Sequence, residues 1–145
     1  MTQLTAKHVA VYFLSLVDND CGDSVSNLKL QKLVYYAQGV YLALRDKPLF
    51  NDKIFAWEHG PVVPSLYKFY SHHGSTDIPK PSKVDYSIYN KKAREVMDDV
   101  YKVFGQFSAW KLRNMTHEEP PWKDTPINTE ISHESMKKYF KTLLN

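Results

Sequence analysis

The sequence predicts a mainly α-helical chain: a compact bundle of about five to six helices around a buried central helix, with a minor two-stranded β element. Three observations carry that expectation. Segment 28–44, LKLQKLVYYAQGVYLAL, puts Leu30, Leu33, Val34, Ala37, Tyr41 and Leu44 on one stripe and Leu28, Tyr35 and Leu42 on another. A helix that is apolar on more than one side belongs at the centre of a bundle. Several further apolar runs repeat at helical spacing behind a residue able to cap a helix. Only two stretches, 54–57 and 127–131, read as strands.

Thr5 can cap a first helix whose inward positions are Val9, Tyr12, Phe13, Leu16 and Val17. The DNDCGD stretch, Asp18–Asp23, ends it. With Gly22 as the sixth position of a calcium loop, positions one and twelve would be Val17 and Lys29, so the calcium reading fails. Ser26 or Asn27 can cap the central helix, and Pro48 prevents its continuation. Ile54–Trp57 is β-branched and aromatic and reads as a short strand. Pro64 suits the first turn of a helix running to about His73, with Gly74 beyond its end. Residues 75–83 hold Pro79 and Pro81 and read as a loop. A further helix is expected over roughly Ser87–Phe104, with Tyr89, Ala93, Val96, Met97, Val100 and Phe104 inward, stopped by Gly105. Ser108 caps AWKLRNMT, which Pro120 and Pro121 prevent from continuing. Ile127–Ile131 is a second short strand, pairing with the first. Ser132 caps the last helix, whose apolar face is Met136, Tyr139, Phe140, Leu143 and Leu144.

At 145 residues the chain reads as one domain, 1–145, able to bury a core without disulfides or metals. Aromatic residues are 14 %, with ten Tyr. Tyr has an apolar body and a polar tip, so an excess suits wet interfaces as well as cores. Nineteen basic and sixteen acidic side chains give +3, and they are spread evenly. The densest group, Lys91, Lys92 and Arg94, is diluted by Glu95, Asp98 and Asp99. Specific nucleic-acid binding needs basic residues gathered on one face, so none is expected. The single cysteine, Cys21, suits a reducing compartment. The first residues, Met1–Val17, have no basic stretch followed by an apolar one, and no apolar run approaches the length of a membrane span. The expected location is cytoplasmic, with no membrane partner.

Five glycines, at 22, 39, 60, 74 and 105, form neither a nucleophile elbow nor a phosphate loop. His72 and His73 are adjacent and favour the negative end of a helix dipole rather than a metal, so no metal or other cofactor is expected. Glu58-His59 and His117-Glu118-Glu119 contain the raw material of acid–base catalysis. Each histidine also has a plainer use, bonding backbone at a turn or a helix end. No enzyme is expected, and a small hydrolase using His59 or His117 with a neighbouring carboxylate is the alternative from a different class.

Three groups of residues carry a resemblance. They are Asn27–Gly39 (NLKLQKLVYYAQG), Ala56–Tyr67 (AWEHGPVVPSLY), and Phe104-Gly105 with Ser108–Leu112 (SAWKL) and Thr116–Trp122 (THEEPPW). In order and spacing the chain resembles the Panacea, or SocA-like, antitoxin domain of bacterial and phage toxin–antitoxin pairs, over about residues 5–142. The resemblance implies a small helical fold with a minor β element and no known enzymatic activity. It also implies neutralisation of a cognate toxin, encoded beside it, by direct binding. As an alternative it implies an adaptor that delivers the toxin to a cytoplasmic protease, a second partner. Of the matching residues, Trp57, Gly60, Pro61, Leu112, Thr116, His117 and Trp122 are expected to be structural. Gln31 is expected to be a satisfied buried amide and Lys32 a snorkelling side chain, with a partner contact as the alternative for both. The expected toxin-facing patch is His59, Tyr67 and Tyr70, with Leu66 and Phe69 supplying the apolar face of that helix.

Overall fold

The computed structural model describes residues 3–144. Helix α1, Ala6–Ser15, begins at a reciprocal cap: the Thr5 hydroxyl accepts from the His8 N–H, and His8 Nδ1 accepts from the Thr5 N–H. A 3₁₀ turn over Asn19–Cys21, capped by the Asp18 carboxylate, leads to α2, Asn27–Arg45. Ser26 caps α2, and Asp46 ends it in the left-handed region at φ 58°.

Helix α2 organises everything else. Leu30, Leu33, Val34, Tyr35, Tyr36 and Ala37 are wholly enclosed, because α1 and the later helices Lys91–Phe104, Ala109–His117 and His133–Leu143 surround the helix. Gln38, also buried, donates to the Phe50 carbonyl and accepts from the Leu49 N–H, pinning the returning chain to α2. Leu44 departs from the expected inner stripe: it lies in the last turn of α2 and is half exposed.

Strands β1, Phe55–Trp57, and β2, Gly60–Val62, form an antiparallel hairpin, Trp57 opposite Gly60 and Phe55 opposite Val62. The partner expected for β1 was residues 127–131. That segment instead runs along the other edge of β1 with a single bridge, Phe55 to Glu130. It is tied there by Ala56 N–H to the Thr129 carbonyl and Ile131 N–H to the Ile54 carbonyl.

Helix α3, Pro64–Tyr70, has Pro64 in its first turn and tightens to a 3₁₀ turn over Ser71–His73. Helix α4, Lys91–Phe104, starts later than expected. Residues 86–88 form a separate 3₁₀ turn, and the Asn90 side chain caps α4 by accepting from the Ala93 N–H. Helix α5, Ala109–His117, is capped by Ser108. Pro120 and Pro121 end that direction and begin a one-turn helix, α6, Pro120–Lys123. Helix α7, His133–Leu143, is capped by Ser132. Its inner face is Met136 and Phe140, while Leu143 and Leu144 are about half exposed rather than inward. No helix among the described residues is long and apolar enough to cross a membrane.

Candidate partner-binding groove

The N-terminal half of α2, the β hairpin, α3 and the start of α5 enclose an open groove of about 720 Å³. Trp57, Tyr67, Trp110 and Ile127 form its apolar walls, and Tyr67, Ile127 and Trp110 are 40, 50 and 57 % exposed. Trp57 meets the Tyr67 ring edge to face at 5.5 Å. His59 and Trp110 face each other across 6.0 Å.

The floor is polar and internally satisfied. Asn27 donates to the Tyr67 carbonyl. Gln31 donates to the Asn27 side chain and accepts from the Val63 N–H, so it is the bonded buried amide expected from the sequence. Lys32 does not snorkel. It is 1 % exposed, and its ammonium donates to the Pro61 carbonyl at 2.9 Å. Burial pushes its pKa down to about 7, helped by the charge of Arg113. Gly60 lies directly over it at φ 109°, where an added Cβ would come within 2.7 Å of Lys32 Cε and 2.8 Å of Thr116 Oγ1. Gly60→Ala combines left-handed backbone with this crowding. It should lower the unfolding free energy by about 2 kcal/mol or more, read from denaturant midpoints.

The residues of the third matching group hold the groove together from behind. Leu112 and Thr116 are fully buried, and the Thr116 hydroxyl donates to the Arg113 carbonyl. The Trp122 indole N–H donates to the Trp57 carbonyl, fastening α6 to β1. His117 stacks on Trp122 with centroids 3.9 Å apart and rings 2° from parallel. Its Nε2 is buried without a partner among the described residues. Burial, with the nearby Arg113 charge, lowers its pKa; a backbone hydrogen bond at Glu58 opposes this. Glu119, also buried, accepts from the Tyr35 and Tyr36 hydroxyls at 3.0 and 2.7 Å. Loss of hydration raises its pKa to about 7, against the lowering effect of those two bonds.

Of the expected partner-facing residues, His59 and Tyr67 line the groove. Tyr70 does not: it is 7 % exposed and packs into the core, while Phe69 is 50 % exposed, with the Lys7 ammonium 4.1 Å from its ring centre. Helix α3 is therefore rotated from the expected orientation. Arg113 is the residue sequence reasoning missed. Its guanidinium stacks on Trp110 at 4.4 Å and donates through Nε to His59 Nδ1 at 3.1 Å. His59 thus meets a cation, not a carboxylate. Among the described residues no three His, Cys, Asp or Glu side chains gather as a metal cage.

The class that fold and groove define is a small helical domain with an open, aromatic-walled groove. A family model described as "Antitoxin SocA-like, Panacea domain" matches residues 30–123, and the chain belongs to that family. It is also similar to Antitoxin SocA of Caulobacter vibrioides (strain NA1000 / CB15N), at 46 % identity over 50 residues. That match spans 34 % of this chain and 27 % of the relative's length. No solved structure matches.

Proposed function

We propose that this chain is an antitoxin that neutralises a toxic protein by binding it directly through the groove between α2, the hairpin, α3 and α5. The observation that carries this is the exposure of Tyr67, Ile127 and Trp110 around one concavity. Aromatic side chains grouped over a concave, otherwise satisfied floor are the usual energetic centre of a protein interface. Family membership supports the antitoxin role. A non-enzymatic mode of action accords with the histidines: His59 is bonded to Arg113, and His117 is stacked on Trp122. Delivery of the bound toxin to a protease would use the same surface and is a second reading. It is distinguished by the toxin accumulating in cells that lack the protease.

The test is growth rescue. The product of the adjacent open reading frame, expressed alone, should arrest growth, and co-expression of this chain should restore it. Tyr67→Ala should abolish rescue while the melting temperature stays within a few degrees of wild type. Leu33→Asp should abolish it by unfolding, because a carboxylate would replace a fully enclosed leucine. Full rescue by folded Tyr67→Ala protein would place the binding surface elsewhere.

A further inference from the structure

The groove carries a charge pattern that its aromatic walls do not explain. Arg113 is half-buried and touches two residues of the groove lining: its guanidinium lies over Trp110 and donates through Nε to His59, while Nη1 donates to the Asn114 side chain at 3.0 Å. Nη2 makes no hydrogen bond among the described residues, and no carboxylate there pairs with the guanidinium; the ion pairs among them are Lys92 with Glu95, and Asp46 with Lys137 and Lys141. Lys32, enclosed beneath Gly60, also has a backbone carbonyl and no counter-charge. Glu58, exposed, is the one acidic residue on the groove lining. Arg113 thus presents a cation beside His59 and Trp110, fixed through Nε and Nη1, with Nη2 free of hydrogen bonds among the described residues. A guanidinium oriented in this way matches the two oxygens of a carboxylate.

We propose that the groove recognises an acidic, apolar segment of the partner protein, in which a glutamate or aspartate docks on Arg113 while a neighbouring bulky apolar side chain enters between Trp57, Tyr67 and Trp110. This rests on the protein-binding reading above and specifies the chemistry of the bound segment. A protein segment is favoured over a nucleic acid because Arg113 stands alone against the aromatic wall at Trp110, while Lys32 is enclosed beneath Gly60. A phosphate backbone would need a basic track, and the remaining walls are apolar.

The probe is an end-capped peptide carrying a glutamate between two phenylalanines in a glycine–serine flank. It is compared with peptides in which glutamine or lysine replaces the glutamate. Titrations of the full chain are followed by the indole resonances of Trp57 and Trp110. The glutamate peptide should shift both indoles and bind about tenfold or more tightly than the glutamine peptide, with the lysine peptide weakest. Arg113→Gln should erase that preference, and Arg113→Lys should keep part of it, each with a melting temperature near wild type. If Arg113→Gln fails to fold, Arg113→Lys alone decides, by a reduced preference.

Equal binding of the three peptides, shifts mapping away from the two indoles, or an undiminished preference in the Arg113 variants would overturn the proposal. So would stronger competition from inorganic phosphate or single-stranded DNA than from the glutamate peptide. Growth rescue without the peptide preference would sink this inference and leave the antitoxin reading standing. The preference without rescue would sink that reading instead.

Discussion

Unfolding free energy measured against pH should pass through a minimum near neutrality, the inverse of the usual dome. Two enclosed groups set it. Glu119 holds its proton in the folded state to about pH 7, against 4.5 for an ordinary glutamate. Its contribution is therefore complete below about pH 4.5 and is lost as pH rises to 7. Lys32 shows the opposite: the folded state releases its proton near pH 7 and the unfolded chain near 10.5. Its contribution is complete above 10.5 and is lost as pH falls through 7. Together the two slopes meet at a trough. Lys29, also lowered by burial, adds to the alkaline rise, while His117, lowered from 6.5, partly opposes the acid-side fall. A tenfold change in proton affinity is worth ~1.4 kcal/mol before the protein relaxes, so a trough on the order of 2 kcal/mol deep is expected between about pH 5 and 9. Glu119→Gln should flatten the acid side. Lys32→Met should flatten the alkaline side and raise stability at pH 6, even though the Pro61 carbonyl loses its donor. A domed profile peaking at pH 7, with neither variant altering it, would show that these groups are solvated in solution.

Replacing Gly39 by alanine should destabilise the protein by roughly 2–3 kcal/mol, opposite in sign to the ~1 kcal/mol gain the change gives in an ordinary helix. Gly39 lies mid-α2, where α7 crosses it, and an added Cβ would collide with the Phe140 ring. That ring is itself locked, 5.6 Å from Tyr35 and 5.9 Å from Tyr36, and 1 % exposed. The clash cannot be relieved by a rotamer change without reopening the centre of the core. Thermal or denaturant unfolding of Gly39→Ala reads the sign directly. A more stable variant would mean that α2 and α7 are packed less closely than described.

Much of the fold was legible because its signals are local. Thr5, Ser26, Ser108 and Ser132 each cap the helix that follows, and the two-sided apolar pattern of 28–44 identified the central helix. The hairpin partner of β1 was not legible. Gly60 and Pro61 disfavour a strand by propensity, and residues 60–62 become one by pairing with residues 55–57, while Lys32, 29 positions earlier, donates to the Pro61 carbonyl. The orientation of α3 was missed for a similar reason. A seven-residue helix with Leu66, Tyr67, Phe69 and Tyr70 offers two plausible inner faces, and Lys7 over Phe69 covers the ring left outside.

Within the groove, His59 and Tyr67 were legible from the motif, whereas Tyr70 faces the core. Arg113 left one readable signal, its three-residue spacing from Trp110 on a helix, which brings a guanidinium over an indole. Glu119 left none, since its partners Tyr35 and Tyr36 lie 84 and 83 positions away.

The central claim is that this chain neutralises a toxic protein by binding it at the groove. The most direct measurement is a calorimetric titration of the purified product of the adjacent open reading frame into wild-type and Tyr67→Ala protein, both first checked for unchanged melting. The expected result is saturable, stoichiometric binding to wild type and at least a roughly tenfold loss with Tyr67→Ala. No binding to wild type, or equal affinity for both folded proteins, would contradict it.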